Sequence, residues 1–412
     1  MVEKLLPLSR SFLKTHNQPY RRYLLARQPF KHRFTILLGQ RGVGKTTLLV
    51  QYLHELFDDA LSTERALYLP ADHFLVGEAS LYEIAEEFHH LGGSVLCIDE
   101  IHKYGSWSRE LKSIYDSFPS LKVIASGSSA LIIRRGTHDL SRRAPVVYLL
   151  GVSLREFLEL TLDISLPAYT LDTIRTQHER CAEEVIAAVE ERGEKILALF
   201  SLYLVQGYYP YSLETPDTQL YHLLVEQSIH ASIENDLLAV HPSLTGASIK
   251  RLKKLLSLLA SSVPFVPDLR KLKTALGIGD ERTLKLYLDY LEEAGAIAQV
   301  GKAGGKTRAM AKPAKLYLNN PNQLPALLGS PATVNTGTLR ETFFLNMVSS
   351  AHEVAVPTRG DFLVDNTLTF EIGGKSKDFG QLQNVPDSYL ALDRIERGQG
   401  RRVPLWLFGF LY

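Results

Sequence analysis

A glycine-rich loop near the start of the chain carries the residues with the clearest chemistry. In RFTILLGQRGVGKTTLLVQYL, the pattern G-x-x-x-x-G-K-[ST] runs from Gly39 to Thr46. Glycines let the backbone curl so that its N–H groups face phosphate oxygens at a helix N-terminus. Lys45 would then reach the β- and γ-phosphates of ATP, and Thr46 would ligate Mg²⁺. The predicted nucleotide-binding residues are Gly39, Gln40, Arg41, Gly42, Val43, Gly44, Lys45, Thr46 and Thr47.

An acidic pair, Asp99 and Glu100, follows a short apolar run in SVLCIDE. An acidic pair at the end of a buried strand suits a carboxylate that supports Mg²⁺ and an adjacent base that activates water. We predict that Asp99 holds the metal and that Glu100 acts on the attacking water. The pair lies 54 residues after Lys45, within the range at which a phosphate-binding loop needs such a partner.

Polar residues also follow a third apolar run, LKVIASGSSA. Ser128 is predicted to contact the γ-phosphate or the water, although serines here would equally cap the next helix. Arg142 and Arg143, in DLSRRAP, are candidates to stabilise transition-state charge from the same or a neighbouring subunit. The alternative for each is a solvated surface arginine. An arginine finger, that is, an arginine supplied by a neighbouring subunit, would imply a homo-oligomer.

These side chains need a strand and a helix to position them. Arg33–Leu38 is short, apolar and followed at once by glycine, which predicts a buried strand. Leu48, Leu49 and Leu53 then continue with helical spacing. Strand, glycine loop and helix are the context in which the loop pattern has a mechanism.

With these residues in hand, the chain resembles the prokaryotic AAA+-like ATPases that carry a C-terminal domain of uncharacterised function. The matching stretches are GQRGVGKTTLL, LCIDEIHKYGSWSRELKSIYD, VIASGSSAL and SRRAPVVYLLGVSLREFLEL. LVQGYYP, at Leu204–Pro210, is similar to the family's glycine–proline turn in the helical lid. The resemblance covers nearly the whole chain and is closest over residues 34–160. It implies ATP hydrolysis, with ATP and Mg²⁺ as cofactors.

One position departs from the family's pattern. The family usually has glycine before its arginine, whereas this chain has Arg142. Which of Arg142 and Arg143 serves the site therefore stays open.

A basic region follows the predicted lid. Residues 248–315 contain 14 Lys and Arg against 6 Asp and Glu. Apolar spacing predicts two short helices, the second with Asp280 as N-cap and Gly295 at its end, followed by a glycine-rich hairpin. This pattern is typical of a winged helix-turn-helix, which binds DNA or packs against protein. The candidate phosphate contacts are Arg282, Lys285, Lys302, Lys306 and Arg308.

The C-terminal part resembles the PD-(D/E)xK nuclease fold. Glu341 on a helix, with Asp361 and Glu371 on two strands joined at Asp365-Asn366, would hold Mg²⁺. The nuclease lysine belongs two residues after the strand glutamate, where this chain has Gly373. Lys375, four residues on, would sit ~13 Å away on a straight strand. Glycines would have to bend the strand to bring it back, so we expect a degenerate site.

Composition and length fit a multidomain soluble protein. The 412 residues carry a net charge of +1, and two cysteines, Cys97 and Cys181, suit a reducing cytoplasm. No apolar run reaches the ~20 residues that a bilayer requires, so we predict a cytoplasmic protein with no membrane partner. The predicted α/β fold comprises a P-loop core with an AAA+-like parallel sheet (1–160), a helical lid (161–245), a winged helix (246–328) and a nuclease-like domain (329–412).

Together, these patterns predict a Mg²⁺-dependent ATPase that couples ATP binding and hydrolysis to a nucleic-acid-associated or assembly task. One alternative is an ATP-dependent regulatory switch in a protein complex without DNA binding. A second alternative is an ATP-driven nuclease.

Overall fold

The computed structural model describes residues 1–58, 60–127, 142–262, 266, 268–304, 313–329 and 334–412. The chain separates into two compact units. The first contains Met1–Gly151 and Ala231–Leu244, and the second contains Val152–His230 and Thr245–Tyr412. The predicted division into four domains stays a prediction. In the described part of the chain, no helix is long and apolar enough to cross a membrane.

The first unit is built on a five-stranded sheet in the order β2-β3-β4-β1-β5, and every neighbouring pair is parallel. Strands β1, β3 and most of β4 are buried apolar runs, as parallel sheets covered on both faces require. All five strands therefore place their carboxyl ends at the same edge of the sheet. The strands are β1 Phe34–Leu38, β2 Ala66–Pro70, β3 Val95–Asp99, β4 Lys122–Gly127 and β5 Val146–Tyr148.

Helices cover this sheet with apolar side chains packed on the strands. One helix start is defined by a capping box, in which Ser80 and Glu83 each bind the other's backbone N–H. The helices of the first unit are α1 Val2–Thr15, α2 Tyr23–Ala26, α3 Lys45–Leu56, α4 Leu81–His90, α5 Trp107–Ser117 and, after a π-helix over Ser232–Asp236, α10 Leu237–Val240. Short 3₁₀ helices span Phe74–Glu78 and Ile101–Lys103.

The second unit is mostly helical before its C-terminal sheet. Its helices are α6 Leu154–Leu162, α7 Leu171–Glu190, α8 Ile196–Val205, α9 Thr218–Ala231, α11 Gly246–Ala260, α12 Leu269–Leu276, α13 Glu281–Glu293, α14 Gln323–Leu328 and α15 Thr336–Val348. A two-stranded antiparallel sheet joins β6 Ile297–Val300 to β7 Lys315–Leu318. The carboxylate of Asp280 accepts the N–H of Arg282, which confirms Asp280 as the N-cap of α13. Three helices and a hairpin are what a winged helix requires, and that assignment stays a prediction.

The last five strands form a mixed sheet in the order β12-β11-β10-β9-β8. They are β8 Val354–Ala355, β9 Phe362–Val364, β10 Leu368–Gly373, β11 Ser388–Leu392 and β12 Arg402–Pro404. Strands β9 and β10 pair antiparallel, while β10, β11 and β12 run parallel. Asp365 and Asn366 both have positive φ, so the predicted hairpin turn at this dipeptide is confirmed. Short 3₁₀ helices span Pro210–Ser212, Gly380–Leu382 and Leu405–Phe410.

Asn322, which is fully buried, holds the turn at Gly207 and Tyr208 in place. Its side-chain oxygen accepts both of their N–H groups, at 2.9 and 2.8 Å, and the hydroxyl of Tyr221 at 2.5 Å. Its amide nitrogen donates to the carbonyls of Tyr203 and Leu204, at 2.9 and 3.0 Å. One side chain therefore satisfies five buried polar groups.

Replacing Asn322 with Ala should lower the free energy of unfolding by about 3–5 kcal/mol, because several buried donors and acceptors lose their partner at about 1–3 kcal/mol each. Urea unfolding would measure the change. Gln227→Ala, at an exposed position of α9, is the control and should change stability by less than about 0.5 kcal/mol. Similar losses for the two variants would contradict this role for Asn322.

Candidate functional site

The phosphate-binding loop joins β1 to α3 at the carboxyl edge of the first sheet. Gly42 and Gly44 have φ angles of 82° and 95°, a conformation that glycine adopts without strain. A Cβ on Gly39 would lie 2.5 Å from the carbonyl oxygen of Leu149, so the backbone approaches too closely for a side chain. Lys45 curls back over the loop and donates to the carbonyls of Gly39 and Gln40, each at 3.1 Å. The ammonium group thus lies over the hollow of the loop, where phosphate oxygens would meet it.

Arg22 anchors the loop from beneath, and the sequence patterns do not single it out. Its buried guanidinium donates to the carbonyl of Val43 at 2.9 Å. It also donates to the carbonyls of Leu150 and Gly151, both at 2.9 Å. The loop is therefore tied to the segment that follows β5.

Asp99 sits at the end of β3 with 3% of its surface exposed. One carboxylate oxygen accepts the hydroxyls of Thr46 and Tyr68, at 2.5 and 2.6 Å. The other accepts the hydroxyl of Ser126 and the N–H of Glu100, the latter at 3.1 Å. Burial and the nearby Asp99 charge raise the pKa of Tyr68 well above its usual range, which keeps its hydroxyl protonated. Thr46 was predicted from the loop pattern, whereas Tyr68 was not.

Glu100 points toward the phosphate-binding loop from the residue after Asp99. It has φ 54°, a left-handed conformation that non-glycine residues rarely adopt. Its carboxylate lies 3.9 Å from the ammonium nitrogens of Lys45 and Lys103, and 3.4 Å from Nε2 of His102. The acidic residue assigned to water activation therefore lies beside the lysine assigned to the phosphates.

A histidine and an aspartate connect Glu100 to the distant segment of the same unit. Nε2 of His102, whose side chain is fully buried, lies 3.6 Å from the carboxylate of Asp236. Asp236 closes the π-helix Ser232–Asp236 and lies 3.9 Å from the guanidinium of Arg41 in the loop. Isolated π-helical turns are frequent at functional sites. Sequence reasoning missed both His102 and Asp236, which lie 134 residues apart.

The two candidate arginines lie at the other edge of the sheet. Arg142 and Arg143 precede the amino end of β5 and line a cavity with His32, Arg33 and Tyr115. Nε of Arg143 donates to Asp116 at 3.3 Å. Because β1 and β5 are parallel, the amino end of β5 is about one strand length, or about 15 Å, from the loop at the carboxyl ends of the strands. Neither arginine is thereby placed to reach the phosphate site of its own chain, and a finger acting in trans stays a prediction. Ser128 lies outside the described residues.

The residues at the carboxyl edge fit a Mg²⁺–nucleotide pair. Thr46 and Asp99 supply two oxygen atoms 2.5 Å apart, the hard donors that Mg²⁺ takes together with phosphates and water. Within the described residues, no group of three or more His, Cys, Asp or Glu side chains is placed to hold a metal alone. An ion at Thr46 and Asp99 would draw most of its ligands from the nucleotide and from water.

The candidate DNA contacts lie on the basic region of the second unit. Arg282 and Lys302 are exposed. Lys285 is half-buried and lies 3.7 Å from the carboxylate of Glu281, one helical turn earlier. Lys306 and Arg308 lie outside the described residues.

A carboxylate–lysine cluster occupies the predicted nuclease position on the C-terminal sheet. The ammonium of Lys315, on β7, lies 3.4 Å from Glu341 and 3.6 Å from Asp361. The hydroxyl of Tyr317 donates to Glu341 at 2.6 Å, and Asp361 accepts the N–H of Ile372 at 2.8 Å. Burial and the charge of Asp361 raise the pKa of Glu341 above its usual range. A lysine thus lies between two of the predicted metal ligands.

Lys377, and not Lys375, pairs with Glu371. The ammonium of Lys377 lies 2.5 Å from one carboxylate oxygen of Glu371, a residue with 1% of its surface exposed. A Cβ on Gly373 would lie 2.6 Å from Cβ of Lys377, so the lysine stem fills the space of a side chain at that position. Lys375 is exposed and lines a separate cavity. We predicted that Lys375 could approach Glu371 only if the glycines bent the strand; the chain instead folds back after β10 and brings Lys377 to the carboxylate.

Comparison with known proteins supports the assignment of nucleotide binding to the first unit. Residues 31–158 match a family model described as an AAA domain, and residues 197–333 match a domain of unknown function. The first match spans the phosphate-binding loop, Asp99, Glu100 and both candidate arginines. Together with the loop geometry, it supports a general ATPase with an AAA-type core.

Individual relatives add little about function. An uncharacterized protein of Methanocaldococcus jannaschii is 29% identical over 218 residues, which cover 49% of this chain and 44% of that protein. The chain thus spans less than half of that relative. Domain III of the Thermotoga maritima replication initiation protein DnaA is 18% identical, covering 49% of this chain and 93% of its own, with a TM-score of 0.26. Caenorhabditis elegans PCH-2 is 12% identical, covering 71% and 68%, with a TM-score of 0.24.

Replacing Lys377 with Met should leave the carboxylate of Glu371 buried without its cation. We expect a loss of about 2 kcal/mol at pH 8, less than for a fully buried pair, because 33% of the lysine side chain is exposed. Burial already raises the pKa of Glu371 in the folded protein. Removing Lys377, which lowers the pKa of Glu371, raises that pKa further in the variant. The loss is therefore complete above the variant's folded-state pKa and shrinks as the pH falls through it, because protonation removes the buried charge.

Urea unfolding at pH 5 and pH 8 would measure this effect. Lys375→Met removes the same charge two residues away and should cost less than about 0.5 kcal/mol at either pH. Equal losses for the two lysine variants, or a loss that grows toward pH 5, would contradict the Lys377–Glu371 pairing.

Proposed function

We propose that the chain is a Mg²⁺-dependent ATPase that couples ATP binding and hydrolysis to a nucleic-acid-associated or assembly task. The observation that carries the proposal is the convergence of Lys45, Thr46 and Asp99 at one sheet edge. The hydroxyl of Thr46 lies 2.5 Å from Asp99, and the ammonium of Lys45 lies 3.9 Å from Glu100. Such a set binds phosphate, metal and water within one small volume.

Each residue has a distinct role in this proposal. Lys45 leaves the carbonyls of its own loop and donates to the β- and γ-phosphates. Thr46 and Asp99 hold Mg²⁺, which neutralises charge on the phosphate oxygens when bound. Glu100 orients the attacking water and accepts its proton. His102, which also lies beside Asp236, fixes the direction of the Glu100 carboxylate.

The C-terminal cluster supports a binding or assembly role better than cleavage. Two lysines, Lys315 and Lys377, already contact the three carboxylates that a nuclease would use to hold a metal. Their ammonium groups neutralise most of the charge that would attract the ion. We therefore expect no Mg²⁺-dependent DNA cleavage, and cleavage lost in Asp361→Ala would establish the nuclease alternative instead.

Lys45→Ala should lower the turnover number for ATP at least about 100-fold, because the transferred phosphate loses its main cation. Glu100→Gln should lower turnover to a similar extent while still binding ATP, because it removes the proton acceptor and leaves the loop intact. Turnover would be measured by phosphate release, and binding by titration with a fluorescent ATP analogue. Lys14→Ala, at an exposed position of α1, is the control. Turnover within twofold of the parent in Lys45→Ala would reject the ATPase assignment.

Binding to duplex DNA should weaken with salt if the basic region contacts phosphates. Arg282→Ala combined with Lys302→Ala should reduce the log–log salt slope by about 1.8, which corresponds to about 0.9 for each lost contact. Fluorescence anisotropy over a range of salt concentrations would measure the slope. Lys4→Ala combined with Lys14→Ala removes two charges from α1 and should leave it unchanged. A parent slope near zero would reject the DNA contact and favour the regulatory switch.

A further inference from the structure

A cationic pocket lies beside the turn that follows β10. The cavity, of about 680 Å³, is lined by Arg340, Gly374, Lys375, Ser376 and Arg394. Three of these five residues carry a positive charge, and none carries a negative charge. An excess of like charge in one concave surface focuses the electrostatic potential and attracts an anion.

Arg340 is held in one orientation at the base of this pocket. Its Nε donates to one carboxylate oxygen of Asp393 at 2.8 Å, and the other oxygen accepts the N–H of Arg394 at 2.7 Å. Both side chains of this ion pair are largely buried. Within the described residues, the terminal nitrogens Nη1 and Nη2 of Arg340 have no acceptor. A fixed guanidinium with two unused donor nitrogens is suited to a bidentate contact with phosphate.

Gly374 leaves the guanidinium accessible. A Cβ on Gly374 would lie 3.4 and 3.5 Å from the two terminal nitrogens of Arg340 and 3.7 Å from Cζ. Because both terminal nitrogens are nearer than Cζ, Gly374 lies beside the terminal nitrogens of the guanidinium. A longer side chain at this position would extend across the donors and cover them. Glycine therefore keeps this wall of the pocket open.

The turn after Gly374 supplies further donors. The N–H of Lys377 donates to the carbonyl of Gly374 at 3.0 Å, which closes a four-residue turn with Lys375 and Ser376 at its tip. Both tip residues are exposed, as is Arg394 on another wall. Lys377 itself is engaged with Glu371, so its ammonium does not compete for the same anion.

We propose that Arg340, Lys375 and Arg394 form a phosphate-binding site and that its ligand is a phosphate group on a nucleic-acid backbone. The source of the phosphate rests on the nucleic-acid task proposed above, whereas the site itself does not. Lys375 in this arrangement is an anion-binding residue, and Glu371 takes its cation from Lys377. A free phosphate or a phosphorylated small molecule shares the same chemistry.

The test combines Lys375→Ala with Arg394→Ala, two exposed changes that leave the Arg340–Asp393 pair in place. Anisotropy with a labelled single strand and with a duplex should show the log–log salt slope falling by about 1.4 and about 1.8, respectively. The control combines Lys195→Ala with Arg397→Ala, whose side chains are 67% and 55% exposed elsewhere in the same unit. It removes the same charge and should leave both slopes unchanged.

A second measurement addresses the small-molecule source. The measurement uses a Lys45→Ala background, which weakens phosphate binding at the loop. Broadening of the ³¹P signal of inorganic phosphate should disappear in the pocket variant, Lys375→Ala with Arg394→Ala. It should persist in the control, Lys195→Ala with Arg397→Ala. Loss of broadening without any DNA binding would assign the site to a small phosphorylated ligand. Without the Lys45 change, the pocket variant should have the ATP turnover and melting temperature of the parent. ATP turnover of the parent therefore tests the ATPase proposal, and the salt slopes and ³¹P broadening test the phosphate site. Unchanged slopes together with unchanged broadening would overturn the phosphate site.

Discussion

A single buried carboxylate organises the nucleotide-binding half of the molecule. Asp99 is 3% exposed and accepts hydroxyl groups from α3, β2 and β4, through Thr46, Tyr68 and Ser126. A buried negative charge is costly unless hydrogen bonds or a cation compensate for it. Three hydroxyl donors provide that compensation without adding a positive charge. The elements that must surround a nucleotide are therefore bound to the residue that would hold its metal.

The C-terminal carboxylates are compensated differently. Glu341 and Asp361 both face Lys315, and Glu371 faces Lys377. An ammonium group provides a permanent opposite charge, whereas a hydroxyl dipole leaves the carboxylate's own charge in place. The hydroxyl groups around Asp99 therefore suit a site that takes up and releases a cation with its ligand. The lysines beside Glu341, Asp361 and Glu371 suit a fixed network of ion pairs.

Two adjacent glycines, Gly373 and Gly374, let the two lysines of the following turn make different contacts. Gly373 leaves room for the stem of Lys377 to fold back onto Glu371, whose carboxylate is otherwise buried. Gly374 leaves the guanidinium of Arg340 open toward the pocket that Lys375 lines. A side chain at Gly373 would displace the stem of Lys377, and a long side chain at Gly374 would cover the guanidinium. The turn thus supports an internal ion pair on one side and a cationic surface on the other.

Local patterns in the sequence determined the features that depend on neighbouring residues. The phosphate-binding loop, the strand ending at Asp99, the cap at Asp280 and the turn at Asp365-Asn366 all follow from spacing, glycine placement and side-chain hydrogen bonding over a few residues. Only the tertiary structure decided which distant groups meet. Tyr68 and Ser126 reach Asp99 because β2 and β4 flank β3, and His102 meets Asp236 across more than a hundred residues. Lys377 reaches Glu371 because the chain reverses after β10. Such contacts depend on strand order and chain reversal, which periodicity along the chain does not encode.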